Sequence, residues 1–471
     1  MSTRLLTIVS LSLALAPTVS GAAETKGFVL TTDFSTGGLS VVDLATREVR
    51  VDVVQPPFPS SDARIRWHGG LIYVVNRTGS QSSNNIQVID PTQGYRTLRQ
   101  FSTGSGSNPS DIAFASAGKA YVSLFGSSNL LVVNPMTGGV IKNISLSAFA
   151  DADGKPEADR MVRIGRWLYV SLERLVNFAP TDTSLVAVID TQADTVLDVD
   201  PARPGKQAIV LTGRNPVTPF EFDRPTSRLL IGCVGHYGAL DGGIEILDPF
   251  TFRSLGYAIT EAALGGDVGD VAWNGPGHSY AIVSDVSSFR TRLVSWSAVT
   301  HARLAVIDTT TDFGLADCAL DDRGELYLCR NGLSATTGLR VFSTANDQLI
   351  AGTLGTGLPP FQIAFDTETT EIAAARDLET TLGIEGPFPN PAQEHMRLSL
   401  ALARTDIVHV DIFDIAGRRV RSLVHQVMGA GANEIVWDLR DNSRRRVKPA
   451  VYWVRANVEA RSIVRRVVVE H

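Results

Sequence analysis

Four carboxylates crowd into nine residues at Asp151, Asp153, Glu157 and Asp159. Oxygen ligands at that density suit calcium, although Gly154 stands at the wrong place for an EF-hand loop. Calcium is the one cofactor the sequence suggests. There is no G-x-x-x-x-G-K phosphate loop, no G-x-S-x-G elbow, no H-E-x-x-H and no cysteine pair at zinc spacing. The run from Gly352 to Gly357 is glycine-rich and reads as a loop. The eight histidines are scattered, with no pair at helix-face spacing. Cys233 has no evident partner. With a turn at Arg323-Gly324, Cys318 and Cys329 would face each other across a hairpin, a geometry that strains a disulfide, so two reduced thiols are expected. Catalytic residues are therefore expected to be none.

A second group of side chains is mixed, aromatic and charged: Arg77, Phe125, Glu173, Arg174, His236, Tyr237, Asp285 and Arg330. Such a mixture suits recognition of a small-molecule or protein ligand if the fold gathers it at one place. Whether it does depends on the elements behind it.

Those elements repeat. An apolar alternating run ending in Asp or Asn occurs at Leu39–Asp43, Ile86–Asp90, Leu130–Asn134, Val186–Asp190, Ile244–Asp248, Leu304–Asp308 and, degenerate, Leu339–Ser343. Turn residues follow each copy, so these acids read as turn formers. A strand rich in Tyr and β-branched residues precedes each complete copy, as in Ile72–Val75, Ala120–Ser123, Leu168–Ser171 and Leu326–Cys329. Before that lies a further short strand: Arg64–Trp67, Asp111–Phe114, Arg160–Arg163, Phe220–Phe222, Asp270–Trp273, Asp317–Leu320 and Gln362–Phe365. With one strand after each turn, the unit has four strands, the pattern of a propeller blade. The chain enters mid-blade at Phe28–Thr31 and leaves on an unaccompanied inner strand. A seven-bladed β-propeller over residues 27–377 that closes by pairing the two ends is expected. The loops between the second and third strands then gather on one face, among them Arg77–Asn85, Glu173–Thr183, Gly235–Gly243 and Asp285–Ala302. That mouth is where the eight mixed residues are expected to meet a ligand.

Composition frames this reading. The chain has 471 residues, 44% hydrophobic and 20% charged, with a formal charge of −6, which argues for a globular protein and against a general nucleic-acid binder. The charge is uneven: from Pro387 to His471 there are 14 Lys/Arg against 9 Asp/Glu, a local +5, which leaves −11 on the remainder. Arg4 followed by the apolar run Leu5–Ala16 and small residues at 20–22 reads as a signal peptide over residues 1–22. No later run is long enough to span a bilayer. An exported protein is expected, in the periplasm, at the cell surface or outside the cell.

The repeats resemble the YVTN-type β-propeller units of exported bacterial proteins, best at Asn108–Gly139, over roughly Gly27–Arg376. That resemblance implies fold more than function, because binding proteins, surface proteins and some enzymes share it. Residues 378–386 read as a linker, and the Pro-rich stretch to Pro391 excludes helix and central strand. Five or more short alternating runs follow, a small antiparallel β-sandwich. Residues Phe388–Pro391, Ile412–Val420, Gly431–Asp438 and Val451-Tyr452 resemble the FlgD-type Ig-like domain and the C-terminal sorting domains of type IX-secreted proteins. Ser443 and Ala450 stand where that pattern has glycine. The resemblance implies anchoring, sorting or spacing, with secretion machinery or a cell-surface component as partner. A binding role is the reading taken; a propeller hydrolase or lactonase-like enzyme with a channel metal, or a purely structural envelope component, are the alternatives.

Overall fold

The computed structural model describes residues 25–78, 83–332, 336–366, 371–372, 383–402, 406–429, 431–458 and 461–470. The expected signal peptide lies outside them, as does most of the expected linker. The described residues are all-β apart from one four-residue helix, Glu261–Leu264, and two 3-10 turns.

Among the described residues, seven sheets of four or more mainly antiparallel strands follow one another up to residue 372. Five are built from consecutive strands; the fourth, with Ala158–Ile164, Trp167–Leu172, Leu185–Asp190 and Thr195–Val196, is interrupted by the hairpin of Leu175–Val176 and Ala179–Pro180 and adds Glu371–Ile372 parallel to its first strand. In the second, Ala63–His68, Leu71–Asn76, Asn85–Asp90 and Arg96–Ser102 pair in chain order. The first sheet is shared between the chain ends: Lys26–Thr32 pairs with Gly37–Asp43 on one side and with Pro360–Phe365 on the other, Val29 facing Ile363. Asp366 adds side-chain hydrogen bonds to Thr25 and Lys26.

Strands buried on both faces explain why the sheets stack. Tyr73, Val75, Ile86 and Val88 of the second sheet share a core with Ile112, Phe114, Val122 and Leu131 of the third. Each neighbouring pair has such a core, and the last joins Tyr327, Leu339 and Val341 of the seventh sheet to Val29, Val42 and Ile363 of the first. The stack therefore closes on itself, which is a β-propeller.

The repeated residues brace the ring. The Tyr of the second strand reaches the neighbouring sheet: Tyr121 to Asp194, Tyr169 to the Pro249 carbonyl at 2.5 Å, Tyr280 to Asp347 at 2.9 Å, and Tyr327 to Arg47. The acids ending the third strand bond forward into their own turns. Asp43, Asp90, Asn134, Asp190 and Asp248 each accept from backbone N–H groups two or three residues on. They are turn formers, as their spacing implied.

Two details differ from expectation. In the sixth sheet the third strand is Arg290–Ser297, inside the segment expected as a loop from Asp285 to Ala302, and the copy at Leu304–Asp308 lies in the outermost strand. Arg290–Ser297 hides because Ser295 and Ser297 interrupt its apolar pattern, yet Leu293, Val294 and Trp296 are buried. In the seventh sheet the inner turn is one residue wider than supposed, so Cys329 faces Asp317 and Cys318 faces Leu328. A one-residue slip sends side chains to opposite faces. Cys318 packs toward the sixth sheet and Cys329 toward the first, both as free buried thiols.

Beyond residue 383 a three-stranded sheet (Gly383–Phe388, Met396–Leu402, Gly431–Trp437) and a four-stranded sheet (Arg419–Met428, Asp406–Phe413, Ala450–Val458, Arg461–Val469) enclose one core around Leu398, Val410, Trp437 and Val454.

Candidate functional site

The inner strands set the chemistry of the propeller channel. Six of them carry a polar side chain at the same repeat position as Asp111, and each reaches the next inner strand or the segment leading into it. Arg64 donates to the Ser110 carbonyl at 3.1 Å and Arg160 to the Val217 carbonyl at 3.3 Å. Asp111 accepts from Met161 N–H at 2.9 Å, Asp270 from Cys318 N–H at 2.8 Å and Asp317 from Ile363 N–H at 3.0 Å. Gln362, at that position in the closing strand, accepts from Ile65 N–H at 3.0 Å. Part of the channel's polarity therefore clamps sheet to sheet.

Next to these clasps, ion pairs occupy the channel between the inner strands. Arg66 grips Asp111 through Nε and Nη2, both at 2.8 Å. Asp159, 1% exposed, accepts from Arg64 and Ser110, with Arg160 at 3.5 Å. Burial alone would raise the Asp159 carboxyl, but the guanidiniums of Arg64, Arg160 and Arg77 outweigh it and hold it well below the ordinary carboxylate range. Glu173 has the opposite fate: burial, then the neighbouring Asp159 charge, pushes it well above its ordinary value. Two carboxyls side by side keep one proton between them.

Toward the inner hairpins the channel opens into a cavity of about 540 Å³. Glu221, Asp270 and Asp317 stand on its wall, with Arg66, Phe220, Phe222 and Trp273. Arg224, Asp321 and Asp322, from turns joining first and second strands, form the rim. The cavity therefore opens on the face opposite the loops expected to form the mouth. Burial, then the Asp270 charge, pushes Glu221 up to about 8. Burial pushes Asp270 up to about 6 against the Cys318 N–H bond. Asp317 is raised by burial and then by Asp270.

Of the eight residues expected at the mouth, the structure brings three together. Glu173 reaches the Asp159 cluster, Arg77 lies close enough to both to act on their charge, and Glu173 is the largest charged influence on the Tyr237 hydroxyl. The other five are occupied elsewhere. Arg174 folds onto Thr183 of its own loop. His236 pairs with Asp241 at 3.0 Å in an exposed network that includes Arg214. Asp285 accepts from Ser287 and Ser288, whose hydroxyls draw it down to about 2. Arg330 joins Arg340 on Asp308, between the sixth and seventh sheets. Phe125 is half-buried and bonds Asn108 through its backbone.

The four clustered carboxylates divide. Ligand oxygens of Asp151, Asp153 and Glu157 lie within 4.8 Å of one another, whereas Asp159 belongs to the channel. Burial, with Asp153 and Asp151 adding to it, pushes Glu157 up to about 7 even though its carboxylate accepts Leu175 N–H at 2.9 Å. The residues not singled out from sequence are Arg66, Asp111, Arg160, Glu221, Asp270 and Asp317. Their signal was their shared place at or next to the polar position of each inner strand.

The two-sheet C-terminal unit decides the family question for its own part of the chain. Residues 387–470 match the secretion system C-terminal sorting domain. The protein is exported, to the cell surface or beyond. No curated protein matches the chain. Among solved structures it is similar to PorZ, a bacterial surface component of the type IX secretion system of Porphyromonas gingivalis, at 15% identity and TM-score 0.41, covering 92% of this chain. The chain spans 63% of the length of PorZ. It is also similar to apo AztD from Citrobacter koseri (11% identity, TM-score 0.45, 74% of this chain and 100% of that one). The Dos1 propeller gives 11% identity and TM-score 0.47 over 72% of this chain and 88% of that one. No helix among the described residues is long and apolar enough to cross a membrane.

Proposed function

We propose that this protein is a seven-bladed propeller of YVTN type that acts at the cell surface as a ligand-binding module. In this reading residues 1–22 are a signal peptide, 27–377 the propeller and 378–386 a linker whose last four residues already run into the edge strand of the C-terminal unit. Residues 387–471 are a FlgD-type Ig-like domain that engages the type IX machinery or a surface partner. The observation that carries a binding role is the cavity of about 540 Å³ where buried polar groups of several sheets converge, a size and composition typical of small-molecule sites. Arg77, Glu173 and Tyr237 offer a second contact area at the loop face.

Two experiments test it. Cells expressing a version that lacks residues 387–471 should retain the propeller inside the outer membrane, while the full chain becomes accessible to added protease. Surface display without the tail would remove the sorting role. A thermal-shift screen of the full chain against small molecules and metals should find at least one stabilising compound. An extensive screen with no shift would favour a structural component.

Calcium at Asp151, Asp153 and Glu157 is a second, local reading, supported by their convergent oxygens and by the buried, unpartnered Oδ2 of Asp151. Millimolar calcium should raise Tm in the full chain and not in D151N/E157Q; equal shifts would reject it.

A further inference from the structure

We propose that the chamber at the hairpin end of the channel takes a small organic cation, a primary ammonium or guanidinium group on an apolar or aromatic body, held by Asp317, Asp270 and Glu221. This inference rests on the reading of the propeller as a binding module and names the ligand class of its channel.

Charge supply comes first. Three successive inner strands deliver three carboxylates to one wall, and Asp270 and Asp317 are only 4% and 9% exposed. The clasp to the next strand takes a single oxygen from each, Oδ2 in both cases. The guanidiniums nearby are shared with other carboxylates. Arg66 spends Nε and Nη2 on Asp111; Arg160 meets Asp159 and the Val217 carbonyl through Nε alone, and its charge lowers Asp270 and Asp317 only in part. Arg224 at the rim is exposed. The lining therefore carries Glu221, Asp270, Asp317, Asp321 and Asp322 against Arg66 and Arg224; burial raises the three wall carboxyls, and the Asp270 charge raises Glu221 and Asp317 further. A bound cation relieves that repulsion and favours their ionised forms.

Spacing then selects the kind of cation. Among the described residues, the acids whose ligand atoms converge within 4.8 Å as a group of three are Asp151, Asp153 and Glu157. The chamber acids are not such a group, so a bare divalent ion cannot take one oxygen from all three. An ammonium, at about 2.8 Å from each oxygen, spans little more and meets two of the three acids, whereas a guanidinium spreads five donors over a wider fork and can reach further. The remaining wall is apolar and aromatic, with Met161, Phe220, Phe222 and Trp273. That surface suits the body of such a ligand, and the ring faces attract the cation itself.

The test is calorimetric titration of the purified full chain with 2-phenylethylamine and agmatine, against 2-phenylethanol and phenylacetate as neutral and anionic controls. At least one of the two cations should bind about tenfold or more tightly than either control, with Trp fluorescence changing as it binds and protons released at neutral pH. E221Q, which keeps an acceptor for Trp273 N–H, should weaken that binding about tenfold. D317N keeps an acceptor for Ile363 N–H and should do the same. Controls that bind as tightly as the cations, or both variants binding as the parent does, would overturn the cation class while leaving the channel a binding site. Failure of both cations to bind at millimolar concentration would also overturn it. The thermal-shift screen would then still decide, separately, whether the propeller binds anything.

Discussion

Replacing Asp111 by Ala isolates what the ion pairs of the channel contribute. Asp111 is fully buried, accepts both arms of Arg66 at 2.8 Å and takes Met161 N–H from the next inner strand. Its loss leaves a guanidinium only 13% exposed without its partner. Breaking a buried pair on one side costs about 3–5 kcal/mol. Unfolding entropy near 2.1 cal/mol/K per residue gives about 0.7 kcal/mol/K for a propeller of about 340 residues, so the predicted fall in Tm is about 4–7 °C. The assay is thermal unfolding of the full chain followed by circular dichroism, with the C-terminal transition assigned from the isolated tail. The double variant R66M/D111N removes both charges while keeping an acceptor for Met161 N–H, and should recover much of the loss. A D111A shift below about 1 °C, or a double variant worse than the single, would refute the account of Arg66 and Asp111 as a buried, mutually dependent pair.

The remaining predictions concern pH, thiols and closure. Glu221 has a folded pKa of about 8 against an ordinary 4.5. Its unfavourable burial is absent below about pH 4.5 and grows as pH rises toward 8, because the unfolded state ionises first. E221Q should therefore leave Tm unchanged near pH 4 and raise it at pH 8; equal effects at both would show that Glu221 titrates normally. Asp159 acts in the reverse sense, its contribution lost as pH falls below its ordinary 3.8. Maleimide should label none of the three cysteines in the native protein and all three in denaturant, since Cys233, Cys318 and Cys329 are buried and unpaired. Prompt native labelling of any of them would contradict the packing. Ile363→Ala, which hollows the core joining the seventh sheet to the first, should cost about 2–5 kcal/mol. A stability equal to the parent would mean that the chain ends do not hold the ring.

The repeat was legible because it is written in residues with a single structural job. The turn-forming Asp or Asn, the tyrosine that braces the neighbouring sheet and the apolar inner strand recur where geometry demands them. The same logic explains the miss in the sixth sheet. A strand buried on both faces can satisfy Ser hydroxyls locally, as Ser297 does on the Pro276 carbonyl, and so Arg290–Ser297 loses its apolar signature. The one-residue error at Cys318 and Cys329 has another cause. Asp321 caps a wider turn by accepting N–H groups from Arg323 and Glu325, and turn width is not set by the flanking strands.

The channel was harder to read because one residue type has two roles there. Asp111 and Asp317 occupy equivalent positions and both clasp the next inner strand, so repetition marks them as structural. What separates them is the inner strand of the preceding sheet. Asp111 meets Arg66, which leaves Asp317 with no guanidinium of its own. Arg64 and Arg160 likewise hold that position in their own strands and concentrate positive charge around Asp159. Seven strands with identical residues would give a uniform ring; substitution of Arg for Asp in some of them divides the channel into a neutralised plug and an acidic chamber. Function is therefore to be sought in how the repeats differ from one inner strand to the next. Reversing one difference, with Asp317→Arg, should bring the chamber closer to neutrality and abolish binding of an organic cation; retained cation binding in a folded D317R protein would show that the division has no functional consequence.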